Sequence, residues 1–150
     1  MDLETVEYDD IPMFSFDGLN VEAKVVDVYD GDTCTIVFFF KGEPIKVRCR
    51  LMGINAPEMR PSRNMEDREE YIQQAVRARN RFIQLLVPES TLDTDYSRDQ
   101  IRELLRQSRS VRCRLGEFDK YGRVLISISV EDGGVGETLL REGLCKAYSV

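Results

Sequence analysis

VEAKVVDVYDGDTCTIVFFFKGEPIKVRCRLM, residues 21–52, resolves into three strands and two turns. Val21 to Tyr29 is rich in Val and stops at Asp30-Gly31, a turn signal. Thr33 to Phe40 is β-branched and aromatic, the composition of a strand. Lys41-Gly42-Glu43-Pro44 reads as a second turn. Ile45 to Met52 alternates, with Arg48 and Arg50 on one face and Val47, Cys49 and Leu51 on the other. Short strands joined by tight turns predict a meander.

Asn55-Ala56-Pro57-Glu58 ends the alternation, and Pro61-Ser62 prolongs the loop. Asn64 reads as the N-cap of a helix whose first turns are acidic (Glu66, Asp67, Glu69, Glu70). Tyr71, Ile72, Ala75, Val76, Arg79, Phe82, Ile83 and Leu86 keep a helical rhythm up to Pro88. Ser97-x-x-Gln100 has the form of a capping box for a second helix, from Arg98 to about Arg106. Val111–Phe118 and Val124–Val130 read as two more strands, Asp132-Gly133-Gly134 as a turn, and Glu137–Gly143 as a short helix. The order β-β-β-α-α-β-β-α predicts a mainly β, α+β fold: a five-stranded OB-fold Greek-key barrel with packed helices. Residues 1–20 read as an acidic N-terminal leader, disordered over residues 1–10, and residues 21–150 as the domain. Met13–Phe16 is apolar enough to pack as an edge strand before Asp17-Gly18.

Charge and composition narrow the chemistry. The 150 residues carry 21 Lys+Arg against 27 Asp+Glu, a net charge of −6. Asp2, Glu4, Glu7, Asp9, Asp10 and Asp17 all fall before residue 21, where there is no base. The acidity therefore belongs to the leader, and the domain behind it is neutral. Arg greatly outnumbers Lys, and its planar fork suits phosphate and carboxylate. Solvated helix faces account for most of those arginines. The absence of His excludes a Ser-His-Asp triad, a Cys-His pair and His-ligated metals. Cys34, Cys49, Cys113 and Cys145 are scattered without a Cys-x-x-Cys pair, and they read as reduced structural thiols. A Cys34–Cys49 bridge across neighbouring strands is the alternative. No signal peptide and no apolar run of membrane-spanning length is present, so the expectation is an intracellular monomer without a membrane partner.

Three pieces carry polar groups on turns. Asp30-Gly31-Asp32-Thr33 offers two carboxylates around a glycine, an oxygen-rich corner for a divalent cation. Arg50 followed by Asn55-Ala56-Pro57-Glu58 brings a cation, an amide oxygen and a carboxylate to the end of one strand. Lys120-Tyr121-Gly122-Arg123 joins the last two strands. Each alone also reads as an ordinary turn with solvated charges, and Glu58 alone as half of a surface ion pair with Arg60.

Together, in this order and with Glu137 to Tyr148 near the end, these pieces resemble the staphylococcal nuclease (thermonuclease) family over roughly residues 21–148. The resemblance implies an OB-fold barrel that hydrolyses DNA and RNA phosphodiesters with Ca²⁺; Mg²⁺ or Mn²⁺ is the alternative cofactor for this chain. It implies Asp32, Asn55 and the Ala56 carbonyl as metal ligands, with Asp30 in support behind them. It implies Glu58 as general base or water-positioning group, Arg50 and Arg123 as phosphate-contacting arginines, and Lys120 and Tyr121 as substrate contacts. Asn55 departs from the pattern, an amide where the family has a carboxylate, and weaker metal binding is expected from it. The family's last helix has no counterpart after Tyr148, while the segment from Pro88 to Ser108 is extra. That segment is expected either to replace the helix in packing or to add a surface. Lys41–Arg63 and Arg98–Arg114 each hold six bases against two acids, and either stretch suits a nucleic-acid backbone. The alternative to the enzyme is a catalytically weak or inactive OB module that binds nucleic acid or protein.

Overall fold

Alternation of inward apolar and outward polar residues builds β1 (Asn20–Asp30), β2 (Thr33–Phe40) and β3 (Glu43–Leu51) into an antiparallel meander. The structure is a computed structural model describing residues 2–131 and 133–148. β4 (Ile54–Asn55) and two helices, α1 (Arg68–Leu86) and α2 (Arg98–Arg106), follow. Next come β5 (Val111–Phe118), β6 (Val124–Val130), the two-residue β7 (Gly133–Gly134), α3 (Val135–Arg141) and β8 (Lys146–Ala147). β5 pairs antiparallel with β1 and β6. β6 then pairs parallel with β3, Cys49 opposite Val124 and Leu51 opposite Ile126, which closes a five-stranded barrel. β4 and β8 form a separate small ribbon.

The barrel interior is apolar. Val25, Val28, Ile36, Cys49, Leu51, Leu115 and Ile126 are all almost fully buried. Each large side chain so buried contributes roughly 1.5–3 kcal/mol. α1 adds Ala78, Phe82 and Ile83, and α2 adds Ile101 and Leu105, to the same core. The segment from Pro88 to Ser108 thus packs on the barrel through α2. Its loop is pinned to α1 by buried Asn80, whose amide donates to the carbonyls of Leu92 and Thr94. The Ser97–Gln100 capping box forms as its sequence predicts. All four cysteines are free and buried, including Cys34 and Cys49, which face each other across β2 and β3. Among the described residues, no helix is long and apolar enough to cross a membrane.

Four local readings change. The turn after β2 is only Lys41-Gly42, both with positive φ (52° and 83°), so β3 begins at Glu43 and Pro44 joins it. That two-residue turn matches the twist of its strands. α1 begins at Arg68 rather than after Asn64, because Ser62 Oγ accepts the Asn64 N–H and the Ser62 carbonyl accepts that of Met65. Residues 62–65 close a turn of their own, and Asp67 precedes the helix with a left-handed φ of 54°. α3 starts two residues early, at buried Val135, and stops at Arg141, because Gly143 turns the chain with φ 75°. Met13–Phe16 forms no strand. The turn read at Asp132-Gly133-Gly134 lies partly outside the described residues, and Gly133-Gly134 forms β7.

Phe16 nevertheless enters the barrel mouth. It is 6% exposed, with its ring centroid 5.2 Å from Phe40, 5.6 Å from Phe38 and 5.7 Å from Phe118. Just behind it, the Gly18 N–H donates to the Leu115 carbonyl. We predict that Phe16→Ala lowers stability in urea unfolding by about 3 kcal/mol, as large-to-small aromatic changes in cores do. Removing residues 1–10 should change it by less than about 0.5 kcal/mol. Equal losses from the two changes would show that the leader, not Phe16 alone, braces the barrel.

Candidate active site

The turn between β1 and β2 is drawn tightly onto the rest of the fold. A Cβ on Gly31 would lie 2.8 Å from the Ala56 Cβ and 3.0 Å from the Ala78 Cβ. Only glycine lets this turn touch both the Asn55–Glu58 loop and α1. The Asp32 N–H donates to Asp30 Oδ1 at 3.0 Å. Asp32, 7% exposed, accepts from Thr33 Oγ1 on one oxygen (2.9 Å) and from the Ala56 N–H on the other (2.8 Å). Burial, reinforced by the neighbouring Asp32 charge, pushes Asp30 up to about 7. Two carboxylates are thus held close together in a poorly solvated corner.

Arg50 is the hub of the opposite wall. Its guanidinium donates to the carbonyls of Leu51 (3.2 Å) and Ile54 (2.8 Å) and to Asn55 Oδ1. Asp32 Oδ2 lies 3.6 Å away, and the Tyr148 ring centroid lies 5.2 Å from the guanidinium carbon. Tyr148 is held there because its N–H donates to the Gly53 carbonyl next to the β4–β8 ribbon. Two of the Arg50 bonds, to Ile54 and Asn55, hold the loop that carries Asn55.

Glu58 is exposed, and its carboxylate has no ion pair among the described residues, Arg60 included. Its N–H donates to the Tyr71 hydroxyl at 3.0 Å, which ties the loop to α1. Arg123 is steered by Asp119, which takes its Nε–H at 2.7 Å and its backbone N–H at 2.9 Å. Burial works against the Asp119 charge, but these donors, the Tyr121 N–H and the Arg123 charge outweigh it and hold the carboxyl below its usual range.

One cleft of about 740 Å³ is lined by Asp30, Asp32, Arg50, Asn55, Ala56, Glu58 and Arg123. Tyr121 borders an adjoining cavity instead, with the Lys120 ammonium 5.2 Å and the Arg123 guanidinium 5.3 Å from its ring centroid. Lys120 lines neither space. The cleft also takes Tyr71, Gln74 and Arg77 from α1, and Lys146 from β8. The first three recur every three residues, a stripe along one side of a helix. That spacing was the available signal, masked because Tyr71 also fits the apolar rhythm. Cys145 lines the cleft too, but burial and the Asp32 and Asp30 charges push its thiol up to about 12, which removes it as a nucleophile.

A hard divalent cation fits this donor set. Asp30 and Asp32 supply carboxyl oxygens, with Arg50 3.6 Å from Asp32, and the Asn55 amide and Ala56 carbonyl are neutral complements. Among the described residues, no group of three His, Cys, Asp or Glu side chains is placed to hold a metal, so the set is charge-poor.

A family model described as staphylococcal nuclease homologue matches residues 48–150. The match takes in Arg50, Asn55, Glu58 and Arg123, while Asp30 and Asp32 reach the cleft through β1 and β2. No curated protein matches the chain.

The Asp30 shift makes a prediction for the metal-free protein. Native Asp30 keeps its proton up to about pH 7, whereas the unfolded carboxyl loses it near 4. The folded state therefore binds more protons between those values, and stability falls as pH rises through that window. Asp30→Asn keeps the acceptor for the Asp32 N–H but cannot ionise. In EDTA it should unfold at higher urea than the parent above pH 7, by up to roughly 4 kcal/mol. The two proteins should converge below pH 4, and parallel curves from pH 4 to 9 would refute the assignment.

Proposed function

The chain belongs to the staphylococcal nuclease homologue family, and on that basis we propose that it is a metal-dependent nuclease of low sequence specificity acting on DNA or RNA. The observation that carries this reading is the shared cleft, which brings Asp30, Asp32, Glu58, Arg50 and Arg123 together. Its expected state is a monomer.

A phosphodiester brings one negative charge and gains another as water attacks phosphorus. Arg123 keeps its terminal nitrogens free of ion pairs among the described residues, because Asp119 takes only its Nε–H. Those donors can meet a phosphoryl oxygen and stabilise the charge that develops. Arg50 serves the same charge from the other wall while it holds Asn55 in place. Glu58, without an ion pair among the described residues, orients the attacking water or takes its proton. Asp32, Asn55 and the Ala56 carbonyl would hold Ca²⁺, with Asp30 in support. When bound, the cation polarises a phosphoryl oxygen. No imidazole is needed, in keeping with a chain that has none.

One observation favours a second reading. Arg50 already contacts both Asn55 Oδ1 and Asp32, so a resident cation neutralises part of the ligand set. A weak or inactive module that binds nucleic acid without cleaving it is the alternative.

The test is incubation with single-stranded DNA and RNA in Ca²⁺, Mg²⁺, Mn²⁺ or EDTA. Cleavage should need a divalent ion and fall by about 10²–10⁴-fold in Glu58→Ala. Binding without cleavage under every ion would select the module. Cleavage that survives both EDTA and Glu58→Ala would place the activity elsewhere. Asn55→Asp restores a ligand charge and should tighten Ca²⁺ binding in calorimetry by roughly tenfold. Unchanged affinity would remove Asn55 from the ligand set.

A further inference from the structure

We propose that a single-stranded nucleic acid leaving the cleft is held in a second, basic groove between the barrel and α2, reached past Tyr121. The inference rests on the reading that the cleft receives a phosphodiester. The groove, about 620 Å³, is lined by Lys24, Lys46, Arg48, Arg102 and Arg106, with Asp27 as its one acid. An intermediate cavity joins it to the cleft. That cavity shares Lys46 and Arg48 with the groove, shares Arg123 with the cleft, and is bordered by Tyr121 and Phe118.

The cations form a track. Lys46, Arg48 and Arg50 alternate along β3, so their side chains leave one face of the strand about 6.7 Å apart. Arg50 stands in the cleft and Lys46 in the groove. Neither Lys46 nor Arg48 has an ion pair among the described residues. Among the described residues, Arg102 pairs with Asp99 and with the less exposed Asp27, the latter at 3.6 Å, and Arg106 pairs with Glu103; the exposed pairs are worth little. A phosphate backbone can displace them. Lys24 donates to the carbonyls of Arg106 and Ser108, so the negative end of α2 is already offset where it would repel an anion.

Tyr121 points to a single strand rather than a duplex. Its ring is 72% exposed and Phe118 is 41% exposed, both midway along the track. Unpaired bases present faces that stack on such rings without regard to sequence. α2 supplies Arg102, Leu105 and Arg106 as this wall of the groove.

Fluorescence anisotropy in EDTA, where no hydrolysis is required, tests the groove with oligothymidylates of 4 and 12 nucleotides. The longer strand should bind at least tenfold more tightly. Lys46→Ala/Arg102→Ala/Arg106→Ala should abolish that difference and lower the salt slope for the longer strand by about 2, at about 0.7 per lost contact. Arg109→Ala/Arg112→Ala/Arg114→Ala removes equal charge elsewhere and should keep the difference. If a variant's melting temperature falls, glutamine replacements at the same positions substitute for it. No length dependence, equal losses from both triple variants, or equally effective competition by polyglutamate would overturn the proposal. Tight, length-dependent binding without cleavage in any ion would support the groove while refuting the nuclease. Cleavage without length dependence would do the reverse.

Discussion

The parallel pairing of Cys49–Leu51 with Val124–Ile126 closes the barrel, and the candidate site exists because of it. β3 carries Arg50 at this seam, and Arg123 immediately precedes β6. Without the pairing, two arginines 73 residues apart in sequence would have no reason to share a cleft. The seam is short, and what secures it is burial on the inner face: Cys49, Leu51, Val124 and Ile126 are each at most 1% exposed. Packing on the inside thus fixes chemistry at the rim.

A second constraint acts at the rim itself. Arg50 is bonded to backbone carbonyls at Leu51 and Ile54, to the Asn55 amide oxygen, and lies near Asp32 and the Tyr148 ring. It therefore links β2, the Asn55 loop and the end of the described chain. A lysine could carry the charge but not the fork that reaches several acceptors at once. Here positioning and electrostatics fall to the same side chain. A guanidinium beside an amide oxygen forms a stable contact, whereas a second ionised carboxylate at residue 55 would give Arg50 a stronger partner and the corner a larger negative charge.

Much of this was legible in the residues. Strict alternation in Ile45–Leu51 and the β-branched run from Thr33 set the meander, since a one-residue slip would expose every inward side chain. The Ser97–Gln100 box marked α2 because its bonds are local. Local signals failed where tertiary contacts compete. Asn64 is a good cap by type, but Ser62 captures its N–H first. Met13–Phe16 looked like a strand by composition, yet it contributes Phe16 to an aromatic cluster without sheet pairing. The site's candidate residues were nameable from their motifs, while Tyr71, Gln74, Arg77 and Lys146 were not. The 71/74/77 spacing marks a helix stripe, but that the stripe and Lys146 face the cleft depends on how α1 and β8 dock beside the loop.

Charge is the property in which whole-chain arithmetic misleads most. A net of −6 argues against a polyanionic partner. A polyanion, however, responds to the local field within roughly a Debye length, about 8–10 Å in ordinary salt. The acids of the first ten residues are exposed and contribute to no cavity described above. Along the outer face of β3, by contrast, Lys46, Arg48 and Arg50 stand on alternate residues with no acid between them on that face. Placing those cations on one face requires only the two-residue period of a strand. Placing Arg102 and Arg106 opposite them requires α2 to bury Ile101 and Leu105. The same apolar packing that stabilises α2 therefore sets the second wall of a positive groove on a chain that is acidic overall.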